Sequence, residues 1–335
     1  MATYKGIQGY SVQKLSDDPT ASEASGQLWY NSGTGKFKVG TEAAGAWSSA
    51  TAMNTGRDEM ASGGTQSAAW GAGGEPPNTT KTEIYDGSTW TEVADLIDGT
   101  RMQLEGFGST TAAIVCGGNP PSAGGNFTES WDGTSWSEEN NMNTPRYNFG
   151  SAIGSPSTAG LVYGGITSPG HGNDTANTES WNGTTWTEVN DMLTTRAGAT
   201  GLGIQTAAMA VAGVTDSVTV QVAVCETYDG SSWSETGDVN QARYNVGTAG
   251  TTTLGLCFAG IYPSASPVFN QLTEKFDGTS WTEVADLATA RSKGPGCAGS
   301  EVAGICYGGS APGGATTATE EWNDPVYTIK TVTVS

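Results

Sequence analysis

The stretch "TESWDGTSW" (Thr128–Trp136) returns fifty residues later as "TESWNGTTW" (Thr178–Trp186). Three relatives stand at similar distances: "TEIYDGSTW" at Thr82–Trp90, "CETYDGSSW" at Cys225–Trp233 and "TEKFDGTSW" at Thr273–Trp281. Two half-copies extend the series. Trp47 in "GAWSSATAMNTGR" has only the downstream half, and "TEEWN" (Thr319–Asn323) has only the upstream half. Trp47, Trp90, Trp136, Trp186, Trp233 and Trp281 are therefore separated by 43, 46, 50, 47 and 48 residues, a long-period repeat in six units.

Each unit reads as four short strands. In the second, "RMQLEGFGSTTAAIVCGG" from Arg101 gives two runs with a bend near Gly108–Thr111. "TESW" and "SWSEEN" then form a hairpin about Asp-Gly, a pair that accepts the positive φ of tight turns. The recurring tryptophans are read as packing groups. Glycines close the second strand of every unit, at Gly74, Gly118, Gly165, Gly213, Gly260 and Gly309, where they permit close backbone approach or a strand-ending bulge.

An apolar strand, Gly-Gly, a variable loop, an aromatic before Asp-Gly and a later Trp together resemble the kelch repeat of β-propellers, over about Trp47–Asn323. The resemblance implies an all-β, six-bladed propeller. "AWSSATAM" would supply the outer strand of the blade whose inner three strands come from the C-terminal end, so that closure hides the open sheet edges. The expected organisation is an N-terminal β-hairpin anchor at 1–46, the propeller at 47–323 and a C-terminal strand or tail at 324–335.

One arginine and one glutamate recur per unit: Arg57, Arg101, Arg146, Arg196, Arg243 and Arg291, with Glu83, Glu129, Glu179, Glu226, Glu274 and Glu320. They are expected to form a ring of Arg–Glu or Arg–carbonyl contacts between blades, since guanidinium satisfies several acceptors in a buried place. The rival is an Arg cluster gripping an acidic substrate, as in sialidases. A catalytic cluster breaks ring symmetry, and this series keeps it.

The chain has 335 residues and a formal net charge of −20, from 34 acidic and 14 basic residues. That balance argues against nucleic acid as a partner, because phosphate recognition needs clustered Lys and Arg. A solvated acidic surface explains it, with cation sites as the lesser alternative. No stretch has the length of a membrane span, and "MATYKGIQGYSVQKLSDD" lacks the apolar core of a secretion signal. Five cysteines without a CxxC pair speak against zinc and against a disulfide framework. Cys297 and Cys306 flank "AGSEVAGI" and face each other if the segment is a hairpin; buried thiols are the preferred reading, one disulfide the alternative.

Catalysis finds little support. The copper oxidases that resemble kelch proteins need several His and Tyr ligands, and His171 is the only histidine. No Ser-His-Asp or Cys-His set assembles around it. "WDGTSW" also resembles the Asp-box turn of sialidases, itself a structural hairpin. No catalytic residue, metal or cofactor is expected, although paired carboxylates among so many acids stay open.

Recognition is expected instead in the loops after Gly-Gly, which vary from "EPPNTTK" at Glu75 to "ITSPGHGNDTAN" at Ile166. Candidate ligand contacts are Asn119, His171, Asn173, Asp174, Asp216, Tyr262, Phe269 and Asn270. The Asp-Gly turns should lie on the opposite face, where both ends of the propeller segment also emerge.

"GQLWYNSGTGKFKVG" from Gly26 alternates as a β-hairpin turning at "SGTG", and Val326–Val334 alternates well enough to add a strand to it. This segment resembles the N-terminal hairpins of tailed-phage virion proteins, especially fibre and appendage proteins of marine phages. That resemblance implies a virion protein made in the host cytoplasm without a signal peptide. It would dock on other virion proteins through residues 1–46 and the C-terminal tail, with a homo-oligomer possible, and present the loops to a host-surface glycan or protein. Nucleic acid and membrane insertion are not expected. The alternatives are a decoration of head or tail that binds nothing, and a glycan-processing hydrolase.

Overall fold

A computed structural model of the protein describes residues 12–20, 23–119, 125–169, 172–215, 220–262 and 268–332, and every regular element among them is a β-strand. The chain divides into two compact units, one of Met1–Ala46 with Asn323–Ser335 and one of Trp47–Trp322.

The smaller unit is a four-stranded sheet. Leu28–Asn31 and Lys36–Ala43 form the expected hairpin, with Leu28 opposite Val39 and Asn31 opposite Lys36. Val326–Thr331 lies antiparallel on its second strand, from Ala43 opposite Val326 to Lys38 opposite Thr331. Gln13–Leu15 adds a parallel strand on the other side. Asp18 Oδ1 accepts hydrogen bonds from Trp29 Nε1 (3.0 Å) and Asn31 Nδ2 (2.6 Å), tying the segment before the hairpin to its first strand.

The larger unit contains six four-stranded sheets. Blade 2 shows the pattern: Glu105–Ser109 innermost, then Ala112–Cys116, Thr128–Trp131 and Trp136–Glu138 outermost, all antiparallel. Blade 1 starts at Ala61–Thr65, blade 3 at Gly150–Ser151, blade 4 at Thr200–Ile204, blade 5 at Gly247–Gly250 and blade 6 at Gly296–Gly299. Each innermost strand touches that of the next blade, and Gly296–Gly299 touches Ala61–Thr65, so the series closes on itself as a propeller. Blade 6 follows the order Gly296–Gly299, Ala303–Tyr307, Thr319–Asn323, Ala46–Ala50. Its outer strand therefore comes from the N-terminal side of the chain, as the half-copies of the repeat imply.

Burial follows the blade seams. Ala61, Trp70, Ala72, Leu104, Val115, Trp131 and Trp136 form one core between blades 1 and 2. Phe107, Ile114, Cys116, Phe149, Val162 and Trp186 form the next, between blades 2 and 3. No sheet buries its apolar faces alone; each needs a neighbour on both sides, and ring closure supplies the last one.

The nine-residue repeat is a stitch across those seams. The Trp of one blade donates its indole N–H to the Thr hydroxyl that opens the third strand of the blade before it. Trp136 bonds Thr82 (3.1 Å), Trp186 bonds Thr128 (3.0 Å), Trp233 bonds Thr178 (3.2 Å), Trp90 bonds Thr319 (3.2 Å) and Trp47 bonds Thr273 (2.9 Å). Blade 4 has Cys225 where the others have Thr, and Trp281 donates instead to the Gly237 carbonyl (2.9 Å).

The Arg and Glu series pair in every blade: Arg57–Glu83, Arg101–Glu129, Arg146–Glu179, Arg196–Glu226, Arg243–Glu274 and Arg291–Glu320, with both side chains of each pair at most 4% exposed. The expected side-chain ring between blades is not what forms. Each Arg lies on the connector entering a blade and bonds the Glu of that same blade. Arg146 donates to the carbonyls of Gly164 (3.0 Å) and Asn177 (2.7 Å) and to Glu179 (2.8 Å), and Glu179 accepts the Asn143 and Thr144 amides. The guanidinium faces its own blade because the carbonyls ending that blade's second strand lie within its reach.

A second series of bonds between blades is made by the backbone. The Gly that closes the second strand of each blade donates to the main-chain carbonyl of the Arg entering the next blade: Gly74 to Arg101, Gly118 to Arg146, Gly165 to Arg196, Gly213 to Arg243, Gly260 to Arg291 and Gly309 to Arg57, at 2.9–3.2 Å.

The Asp-Gly turns cap themselves. Asp132 Oδ1 accepts the amides of Thr134 and Ser135, both at 2.8 Å, and the Thr134 hydroxyl. These bonds hold the carboxyls of Asp86, Asp132 and Asp229 down at about 2, with the neighbouring Ser or Thr hydroxyl contributing most. Blade 3 makes the same turn with Asn182.

Four substitutions test these contacts. Arg146→Ala leaves Glu179 buried without its cation and should lower stability by about 3–5 kcal/mol in chemical denaturation. Thr128→Val removes the hydrogen-bond partner of Trp186 and should cost about 1–3 kcal/mol. Thr82→Val should cost less, because Trp136 also reaches the Ala94 carbonyl at 3.2 Å. A depressed carboxyl stabilises the fold above its unfolded pKa and loses that contribution as pH falls through the folded value. Asp132→Asn, which keeps the turn without the charge, should therefore lower the melting temperature modestly at pH 7 and flatten its fall between about pH 4 and 2.

Candidate functional site

Strand direction divides the propeller into two faces. The Asp-Gly turns and the bends between first and second strands share one; the loops after Gly-Gly and the connectors between blades share the other. On this second face the residue two places after each arginine turns toward the axis in the left-handed region. Glu59, Gln103, Asn148, Asn245 and Lys293 have φ between 51° and 56°, and Gly198 has 58°.

These residues form a closed collar of backbone hydrogen bonds. Gln103 N donates to Glu59 O (2.8 Å), Asn148 N to Gln103 O (3.0 Å), Gly198 N to Asn148 O (2.7 Å) and Asn245 N to Gly198 O (2.9 Å). Gly294 N then donates to Asn245 O (3.1 Å) and Glu59 N to Lys293 O (3.0 Å), completing the circle.

The collar narrows the axis to a cavity of about 40 Å³, lined among others by Glu59, Ser62, Gln103, Glu105, Asn148 and Asn245. That is room for two or three waters and too little for a sugar. Burial raises the carboxyl of Glu105 to about 8, although the Ser151 hydroxyl (2.8 Å) and the Gly106 amide favour its charged form.

The loop residues chosen from sequence fall in separate places. Asn119 pairs with Met102 at the root of the blade 2 loop. Asn173 and Asp174 share the blade 3 loop, where Asn173 Nδ2 donates to the Pro169 carbonyl (3.2 Å) and Asp174 pairs with Ile166. Tyr262 and Phe269 sit on a short hairpin in blade 5, with Tyr262 opposite Val268 and Ile261 opposite Phe269. Asn270 braces that hairpin, donating to Gln241 Oε1 (3.0 Å) and accepting the Leu272 amide (2.7 Å). His171 and Asp216 lie outside the described residues. The six described candidates are all half-buried, and none lines the axial cavity.

Three carboxylates that the sequence reading did not single out do come together. One oxygen each from Asp58, Glu59 and Glu75 lies within 4.8 Å of the others. Asp58 and Glu59 follow Arg57 on the connector into blade 1. Glu75 opens the blade 1 loop and is bonded to Asp58 through both backbones (Asp58 N to Glu75 O 2.7 Å, Glu75 N to Asp58 O 3.0 Å). Burial raises the Asp58 carboxyl to about 6 and that of Glu59 to about 7, against the opposing pull of Lys293. The available signal was Glu59 itself, the one acid at a position held elsewhere by Gln, Asn, Gly or Lys.

The five cysteines are all buried thiols. Cys297 does face Cys306 across a hairpin, and burial raises their thiols to about 11 and 12. None is prepared to act as a thiolate nucleophile.

No protein-family model matches the chain, and no curated protein sequence matches it. Among solved structures, one titled "Structure of YjhT" is similar in fold, with a TM-score of 0.68 over 83% of this chain and 99% of that one, at 12% sequence identity. At that identity the likeness concerns the fold, a β-propeller, and nothing more.

Proposed function

We propose that the protein is an attachment component of a phage virion, with the propeller as its display head and residues 1–46 with the C-terminal tail as its mount. The observation that carries this reading is the length and diversity of the loops after Gly-Gly on one face, against bends of two to four residues in five of the six blades on the other. Belts of repeated Trp–Thr and Gly–Arg bonds make the six blades nearly equivalent, while the loops after Gly-Gly run from seven residues (75–81) to twelve (166–177). A rigid ring bearing unequal loops is a scaffold for recognition.

Two further features support it. The chain enters and leaves the ring in blade 6, at the end of the strands where the other blades carry their Asp-Gly turns, and so away from those loops. The hairpin at Gly26–Gly40 is the part of the sequence that resembles phage fibre and appendage proteins. Among the described residues each repeated Arg is buried and paired with the Glu of its own blade, which leaves no exposed guanidinium cluster for an acidic substrate.

The test is binding of the purified chain to host cells and to a glycan array, beside a variant in which 166–177 is shortened to the seven-residue length of 75–81. Binding by the parent that the variant loses supports attachment. Absence of binding by the parent, with the protein nonetheless found on intact particles by immunolabelled electron microscopy, would leave a decoration and overturn the reading.

A further inference from the structure

The cluster of Asp58, Glu59 and Glu75 carries more negative charge than its surroundings balance. Asp58 is 2% exposed and Glu59 9%. The cation bonded to the group among the described residues is Lys293, whose Nζ donates to Glu75 Oε1 at 3.2 Å. Arg57, adjacent in sequence, is committed to Glu83. Three carboxylates against one ammonium leave two charges uncompensated in a largely buried place, a costly arrangement unless a cation or protons join it.

The hydrogen bonding points to the same gap. Ser310 favours the charged form of Asp58, yet the buried Oδ1 of that carboxylate has no hydrogen-bond partner among the described residues. Glu59 Oε1 accepts a long bond from Gln103 Nε2 (3.2 Å). Buried carboxylate oxygens are ordinarily saturated by donors, so an orphan oxygen beside two further carboxylates is a coordination position.

From this geometry we infer that Asp58, Glu59 and Glu75 form a site for a single divalent cation, and that the ion is Ca²⁺. Two oxygens on one Ca²⁺, each at about 2.3–2.6 Å, stand at most about 5 Å apart, which the 4.8 Å spacing satisfies. The donors are hard oxygens, without nitrogen or sulfur, and the Glu75 side is partly open, so waters complete the shell. Ca²⁺ tolerates such an irregular, partly hydrated set better than Mg²⁺ does. Lys293, with 44% of its side chain exposed, swings toward solvent when the ion enters.

The place of the site gives the ion a role. Asp58 and Glu59 lie on the connector from the outer strand of blade 6 to the inner strand of blade 1, and Ser310 belongs to the blade 6 loop. The ion thus sits at the seam where the N-terminal strand closes the ring, on the face that bears the unequal loops. The inference does not depend on the proposed attachment role.

The experiment is a titration of the full chain, stripped with a chelator, with CaCl2 by isothermal calorimetry and by thermal unfolding, with MgCl2 and NaCl at matched ionic strength beside it. One Ca²⁺ per chain is expected, with a saturable rise in melting temperature. Glu75→Gln should weaken binding at least tenfold while the stripped variant melts close to the parent, and Lys293→Met, which removes the competing ammonium, should tighten it severalfold. Asp58→Asn serves as the second ligand variant. Absence of saturable uptake by the parent overturns the site, as does uptake unchanged in both ligand variants. An equal response to MgCl2 overturns the choice of ion, and an equal response to NaCl reduces the effect to charge screening.

Discussion

Everything in the ring hangs on an arginine held from two sides. Its main-chain carbonyl accepts the Gly N–H of the blade before it, while its guanidinium grips the carbonyls and the glutamate of the blade it enters. One residue thus fixes a seam and a blade at once. Buried ion pairs contribute uncertain net stability, because desolvation offsets their attraction. What they enforce here is position: Glu179 can accept the connector amides only if the connector passes at one height and angle. Repeated six times, that constraint sets the rotation from blade to blade.

The glycines belong to the same constraint. A Cβ on Gly308 or Gly164 would stand 2.5 or 2.6 Å from the arginine carbonyl it passes, closer than atoms tolerate, and both have left-handed φ, at 61° and 67°. Blades 4 and 5 nonetheless carry Ala212 and Ala259 at the matching place, with φ of 57° and 60°. The strain of a left-handed alanine is small enough to bear where packing around it is otherwise complete. A similar tolerance appears at Cys225, where the indole of Trp281 simply turns to another carbonyl.

Most of the architecture was legible in the sequence because it is periodic. Six tryptophans at near-equal spacing, and two half-copies at the ends, were enough to place Ala46–Ala50 in the last blade before any coordinates. The tail strand Val326–Thr331 was legible from alternation alone. Roles within the repeat were harder to read. The partnership of the Thr before most of these Glu residues with a Trp of the next blade has no local signature in the sequence. The direction of the Arg pairing was likewise hidden, since spacing along the chain does not say which blade a side chain faces. The cluster at Asp58, Glu59 and Glu75 depends on a backbone pairing between a connector and a loop, which no motif marks.

Symmetry finally limits where specificity can reside. Six equivalent seams present six equivalent surfaces, and an axis narrowed by a hydrogen-bonded collar to about 40 Å³ admits little but water. A propeller with a wide channel can recognise a ligand along its axis; under the attachment role proposed above, recognition here falls where the repeats differ. They differ at the collar, where an acid, amides, a glycine and a lysine share equivalent positions. They differ also in the loops, where blades 4, 5 and 6 raise short hairpins at Val214–Gln221, Ile261–Phe269 and Ser310–Ala315. The acid of the collar belongs to blade 1 and the first of its neighbours around the ring is blade 6, so the excess charge and the last of the raised hairpins adjoin at the closing seam.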